Sequence, residues 1–463
     1  MLIEFSVGNF TSFNETITLS MVSTTKKELD DHTVEIKISK KSNFSLNRLA
    51  AVFGANASGK TNLFYAFRVM RRIVMGAGLS LPKEDGNQER RELPQFKPFA
   101  FIDGESKRPT TFEAVFLVDE DVCRYGFSYG QEGFCEEWLH ADKAAKHKET
   151  LIFKRNGADL EFDPDEETSS ELASYKKYIT DENLFLTVLT ELKVEKYARV
   201  MRFFQNVKVA PFSDDLNLKD LSELVRNEDV HLLSCLLRFA DTGLYNVSTG
   251  EIPDENALPD ELPQEATEEL QAVFKALKTL KALKELSLRR EDMLDFKAYT
   301  CKFKHGIYSD TSNEVKEYPL TMDDESRGTL RYISLVSHFL DALKNDKLLI
   351  VDEMDRSLHP LLVEGLIRLF IEVKSRAQLL FSSHCPFIFD QKKIRRDELW
   401  LVDKNRRGES RLASASDYQA RGDGNLAKGY LGGRFGGIPF IQNHLLKKCA
   451  EAINSSRAKP KGA

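Results

Sequence analysis

The chain has 463 residues, 41% of them apolar and 30% charged, and a net charge of −6. That length exceeds one ordinary domain and allows at most three domain-sized units, and 31 Phe supply ample material for a large core. The charge balance excludes a protein coated in nucleic acid while leaving a local basic patch open, and no stretch nears the ~18 continuous apolar residues of a membrane span. Six cysteines are scattered without a C-x-x-C pair, so they read as free thiols in a reducing compartment, not as a disulfide frame or a zinc site. At the N-terminus, acidic Glu4 and alternating polarity stand where a signal peptide would carry a basic start and an apolar block, so a cytoplasmic protein is expected.

Leu49 to Phe53 is a short apolar run that predicts a buried strand, and Asn62 to Met70 predicts a helix. Between them Gly54, Gly59, Lys60 and Thr61 stand at G-x-x-x-x-G-K-[ST] spacing. Each position has a mechanical task. The glycines let successive N–H groups turn inward on phosphates, Lys60 adds a mobile positive charge, and the Thr61 hydroxyl is placed to ligate Mg²⁺. A helix N-terminus directly after the loop adds its dipole and unsatisfied N–H groups. Gly54, Ala55, Asn56, Ala57, Ser58, Gly59, Lys60, Thr61 and Asn62 therefore form the candidate nucleotide site.

Gln95, in the Pro94–Phe101 stretch, is either a contact near that site or a plain loop residue. Thr110–Val118 and Arg124–Tyr129 alternate like a strand pair, and Phe134–Leu139 and Thr150–Gly157 continue as strands with an Asn-Gly turn. From Ser169 to Asp292 the period becomes helical, over 182–204, 218–239 and 265–287, with an acidic, proline-containing linker at 252–263. The last helix spans about three heptads, enough for a short coiled-coil hairpin or a compact lid but not for long arms.

Asp324 to Leu335 opens an amphipathic helix. Ser326 and Gly328 are either an ordinary cap or an anion-binding turn. Lys347–Val351 predicts a strand ending in the adjacent carboxylates Asp352 and Glu353, expected beside the Lys60 loop's own strand, with Asp352 near Mg²⁺ and Glu353 near an attacking water. Gln378–Ser383 predicts another buried strand ending at His384, where ligands gather in open α/β sheets. Lys60 and Asp352 lie nearly three hundred positions apart yet must meet at one Mg²⁺, so much of the interval is an insertion. Gly429 to Pro439 is a glycine-rich block, a surface loop or a packed element, and 455–463 reads as a basic tail.

This order of motifs resembles the ABC/SMC-type ATPase head. Met1 to Phe13 is similar to the first strand of such heads in the SMC and RecF-like branch, with Thr11 where many relatives have Arg. Glu325–Thr329, Ser357–Pro360, Ser382–His384 and Gly429–Pro439 narrow the resemblance to the AAA-annotated, ABC-like ATPases of bacterial abortive-infection and restriction-linked operons, the AbiL/Rlo type. The resemblance implies an α/β, ABC-type P-loop head with an antiparallel β-subdomain and a helical insertion. The lobes would be 1–165 and 301–463, with 166–300 inserted as a lid or dimerisation subdomain. It implies ATP and Mg²⁺ as ligands, Glu353 and His384 as catalytic groups, and Thr61 and Asp352 at the metal. It further implies a homodimer, or a higher homo-oligomer, in which Ser326 and Gly328 of one subunit close over the nucleotide of the other. Only about eighty residues follow His384, too few for a nuclease domain, so a separate effector, nuclease-like and Toprim-related, is expected. A RecF-like ATPase binding DNA ends or gaps is the alternative, and a basic face would favour it.

Overall fold

The structure is a computed structural model. It describes all residues except 25–28, 38–42, 77–92, 103–107, 143–148, 163–168, 211–220, 222–229, 252–298, 310–311, 390–393, 419–425, 434–435, 439–442 and 458–463. The expected helix at 265–287 and the linker at 252–263 lie outside the described residues, as does Arg434. The chain forms two compact units, one of Met1–Phe212 with Ala342–Ala463, the other of Ser213–Asp341.

In the first unit, β1 (Leu2–Gly8) and β2 (Ile17–Ser20) pair antiparallel, and β3 (Thr33–Lys37) and β4 (Asn43–Asn47) form a separate hairpin. β5 (Leu49–Gly54) is buried along its whole length and leads to helix α1 (Lys60–Val74). Then follow β6 (Thr110–Val118), β7 (Asp121–Gly130), β8 (Gly133–Asp142), β9 (Glu149–Asn156) and β10 (Asp159–Phe162). These five join β1 and β2 in a seven-stranded antiparallel sheet ordered β10-β9-β8-β7-β6-β1-β2. Short turns make this order local: Asp119 takes φ +55° between β6 and β7, and Gly157 takes φ +56° between β9 and β10.

Three helices continue this unit: α2 (Ser169–Ser174), α3 (Phe185–Glu191) and α4 (Glu195–Gln205). Their attachment to the antiparallel sheet is specific. Glu137 of β8, fully buried, accepts hydrogen bonds from Phe185 N at 2.6 Å, Leu186 N at 3.0 Å and Tyr125 OH at 2.9 Å. A carboxylate thus meets the positive end of α3. Phe203 of α4 stacks on Phe116 of β6 at 4.1 Å.

The second sheet is built around β5. It comprises β11 (Val207–Val209), β15 (Leu348–Val351), β16 (Gln378–Ser382), β17 (Leu399–Lys404) and β18 (Ser410–Ser414), ordered β11-β15-β16-β5-β17-β18. All neighbours are parallel except β17 and β18. Buried on both faces, these strands need continuous apolar runs such as Leu348-Leu-Ile-Val351. Helix α7 (Pro360–Glu372) follows β15, and α8 (Leu426–Leu431) and α9 (Asn443–Arg457) end the chain.

The second unit holds α5 (Val230–Phe239) and a three-stranded antiparallel sheet of β12 (Leu244–Glu251), β13 (Tyr299–Ser309) and β14 (Ser312–Leu320). Helix α6 (Arg327–Lys344) begins in it.

Three points differ from the sequence reading. The strand bearing Asp352 is not the neighbour of β5, because β16 lies between them. The segment 166–212 belongs to the first unit, since Glu137 and Phe116 bind it there, so the second unit runs over 213–341 and not 166–300. The insertion is not purely helical, because Leu244–Glu251, within the stretch expected to be helical, forms strand β12 paired with β13.

Candidate nucleotide site

β5 ends at Gly54, and the chain turns through Ala57 at φ +61° and Gly59 at φ +117° before α1 begins at Lys60. Two left-handed residues in three positions curl the loop and aim successive N–H groups toward one side. The glycines are required by crowding as well. A β-carbon on Gly54 would lie 2.4 Å from the Val402 carbonyl oxygen, and one on Gly59 would lie 2.5 Å from Ser410 Oγ and 2.8 Å from Ser12 Oγ. Ser410 Oγ donates to the Ser58 carbonyl at 2.5 Å, and Asn62 Nδ2 donates to Ser12 Oγ at 2.7 Å. Serines from β18 and the β1–β2 turn thus hold the loop from outside. Asn56, Ala57 and Thr61 are exposed, Ala55 and Asn62 half-buried, and Ser58 and Lys60 buried.

Lys60 Nζ donates to the carbonyls of Gly54 at 2.8 Å and Ala55 at 3.1 Å. Burial pushes the ammonium below the usual lysine range, opposed by the nearby charges of Asp352, Glu353 and Asp355. The Lys60 loop and the acidic pair, far apart in sequence, therefore share one electrostatic site.

The interposed β16 organises that site. Ser382 Oγ, at its last residue, donates to Asp352 Oδ1 and accepts from Glu353 N at 2.8 Å. Asp352 is buried and Glu353 half-buried, at φ +48°. Met354 N donates to the Ser382 carbonyl at 2.9 Å, and Ser383 N to the Val52 carbonyl of β5 at 3.2 Å. His384 follows, exposed, with its backbone N–H bonded to Asp355 Oδ2 at 3.0 Å. Spacing in sequence assigned no task to the Ser382, Ser12 or Ser410 hydroxyls. A serine hydroxyl carries no pattern of its own, and only the strand order reveals its partners.

Other expected residues stand as follows. Gln95 is exposed. Thr11 takes φ +51°, its hydroxyl donating to the Phe10 carbonyl at 2.8 Å. In the second unit, Ser326 caps α6: its Oγ accepts from Thr329 N at 3.1 Å and lies 2.8 Å from Thr329 Oγ1. Gly328 is in the first turn of α6, and Glu325 Oε1 meets His305 Nε2 at 2.5 Å.

A Mg²⁺ ion would fit the donor set. Thr61 offers an exposed hydroxyl and Asp352 a carboxylate oriented by Ser382, and such hard oxygens suit an ion that keeps several waters and phosphate oxygens. Among the described residues no group of three or more His, Cys, Asp or Glu could hold a metal by protein ligands alone. No helix of the described residues is long and apolar enough to cross a membrane.

A glycine-bounded loop between a buried parallel strand and a helix, in one sheet with the strand that ends in an Asp-Glu pair, defines a P-loop protein of mixed α/β fold. The chain belongs to the family described as "AAA domain, putative AbiEii toxin, Type IV TA system", whose model matches residues 49–184 and 219–390. No curated protein matches it. Among solved structures it is similar to an SMC head domain from Thermotoga maritima, at 12% identity over 89% of this chain and 98% of that chain, with a TM-score of 0.35. It is also similar to an SmcHead bound to the C-winged helix domain of ScpA, at 13% identity over 89% of this chain and 97% of that one, with a TM-score of 0.34.

Proposed function

We propose that this chain binds and hydrolyses ATP and acts as the regulatory subunit of a bacterial antiphage defence system, controlling a separate nuclease-like effector through ATP-dependent dimerisation. The observation that carries the ATPase reading is that β16 lies between β5, which feeds the Lys60 loop, and the strand ending at Asp352 and Glu353, with Ser382 Oγ at its end bonded to both Asp352 Oδ1 and Glu353 N. The defence role rests on the family and on the motifs it shares with abortive-infection ATPases.

In the proposed reaction the loop N–H groups and Lys60 bind the phosphates. A water oxygen forms a bond to the γ-phosphorus as the bond to the ADP oxygen breaks, and Glu353 takes the proton the water gives up. Mg²⁺ would be held by Thr61 and Asp352 and would supply charge neutralisation of the phosphates. His384, fixed at its backbone by Asp355, faces the same strand ends and is assigned to the γ-phosphate. Ser326 and Gly328, at the N-terminus of α6, are assigned to the nucleotide of a second subunit.

Lys60→Ala tests the site. Loss of a charge-assisted phosphate contact should cost about 1.5–3 kcal/mol, or one to two decades in ATP affinity, read by calorimetric titration. Unchanged ATP binding in this variant would show that the loop is not the nucleotide site.

A further inference from the structure

The glycine-rich block after α8 packs against the nucleotide site, yet nothing in the proposed reaction uses it. Tyr430, buried in α8, stacks on Phe389 with ring centroids 4.7 Å apart and planes 18° apart. Phe389 in turn packs on Phe53 of β5 at 4.4 Å, and Tyr430 meets the same Phe53 edge-on at 6.1 Å. Phe53 immediately precedes Gly54, the first glycine of the loop. Phe389 closes a 3₁₀ turn, Pro386–Phe389, that starts two residues after His384. Three rings therefore join the strand that feeds the phosphate loop, the segment that leaves His384, and the C-terminal block.

The block is shaped to reach this place. Gly433, Gly436 and Gly437 take φ of +75°, +70° and +68°, a run of left-handed turns closed to side chains other than at a cost in strain. The chain bends back so that Tyr430 OH donates to the Gly437 carbonyl at 3.1 Å. A β-carbon on Gly437 would lie 3.5 Å from both Gly54 Cα and the Val402 carbonyl. The hydroxyl thus ties down the strap that the ring itself supports.

We infer that Tyr430 is a positioning residue for hydrolysis: its ring clamps Phe389 onto Phe53 and so fixes where His384 leaves β16 relative to the phosphate loop. The inference rests on the assignment of this loop and His384 to ATP. It extends that assignment to a residue given no part in phosphate, metal or proton handling. Misplacing a catalytic group by about 1 Å can cost up to ~10²-fold in rate, so loss of the clamp should be visible in turnover.

The test measures kcat, KM for ATP and thermal melting in the full chain for Tyr430→Ala and Tyr430→Phe, each alone and with His384→Ala. Tyr430→Ala should lower kcat roughly tenfold while ATP affinity stays within about twofold. Tyr430→Phe keeps the ring and should retain at least about half the wild-type kcat, since the stack and not the hydroxyl sets the His384 segment. In the His384→Ala background, Tyr430→Ala should lower kcat by less than about twofold further, because both changes remove one function. A full tenfold loss in that background, or a kcat for Tyr430→Ala within about twofold of wild type, overturns the inference. So does a Tyr430→Phe variant as impaired as Tyr430→Ala. If Tyr430→Ala does not fold, Tyr430→Leu, which keeps apolar bulk without a ring face, is judged by the same criteria. Wild-type protein without ATP turnover, or turnover that survives Lys60→Ala, would instead sink the functional reading and this inference with it.

Discussion

One hydroxyl, that of Ser382, orients both Asp352 and the backbone of Glu353. Buried groups deprived of a partner lose about 1–3 kcal/mol. Ser382→Ala should therefore lower ATP turnover by at least about tenfold, because Asp352 and Glu353, proposed to bind the metal and face the attacking water, lose their common anchor. ATP affinity should change far less, since the loop and Lys60 are untouched. Steady-state kinetics with a parallel calorimetric titration separates the two, and a variant with normal turnover would remove Ser382 from the site. At this scale the sequence was informative where chemistry imposes spacing. Lys60 opens the helix after the glycine loop, and Asp352, Glu353 and His384 follow strand ends, all places that a pattern could locate. Ser12, Ser382 and Ser410 act through partners tens to hundreds of positions away, and no local spacing encodes such a pairing.

Among the elements, the buried strands β5, β15 and β16 were legible because a parallel strand covered on both faces must be continuously apolar. Their order was not, since any of the apolar runs could sit beside β5 without changing its own pattern. β13 was hidden differently: Lys302, Lys304 and Gly306 alternate with Cys301, Phe303 and Ile307 as a strand requires, but the segment follows a long helical period. The attachment of α3 and α4 to the antiparallel sheet depends on Glu137, an acidic residue that composition alone places on the surface. Glu137→Ala would leave two helix N–H groups and the Tyr125 hydroxyl without their acceptor. The expected loss is about 2–5 kcal/mol, seen as a lower urea midpoint, with Glu137→Gln intermediate because it keeps one acceptor oxygen. A midpoint within about 1 kcal/mol of wild type would mean that α3 is held chiefly by its apolar face.

For the whole molecule, the proposed dimer makes a prediction that no single-chain variant can meet. Ser326→Arg puts bulk and charge at a helix N-terminus assigned to a partner's nucleotide, while ATP binding at its own loop should survive. Ser326→Arg and Lys60→Ala proteins should each be inactive. Mixed, they should recover part of the hydrolysis, because one composite site then has an intact loop and an intact α6 N-terminus. Absence of recovery, with both proteins folded, would count against a shared site, and full activity of Ser326→Arg alone would leave Ser326 as nothing more than a helix cap.

The position of β5 in its sheet also governs how the protein can be made. Both neighbours of β5, β16 and β17, are encoded more than three hundred residues downstream of it. At ~5–20 residues per second a ribosome needs roughly 15–65 s to deliver them. Throughout that interval Leu49-Ala-Ala-Val-Phe53 has neither of the strands that flank it in the finished sheet. The antiparallel sheet closes early from local hairpins, whereas the nucleotide pocket forms last. A nascent chain arrested before residue 378 should therefore fail to retain ATP in a filter-binding assay, and its unpaired Leu49–Gly54 strand offers a chaperone an apolar segment during synthesis.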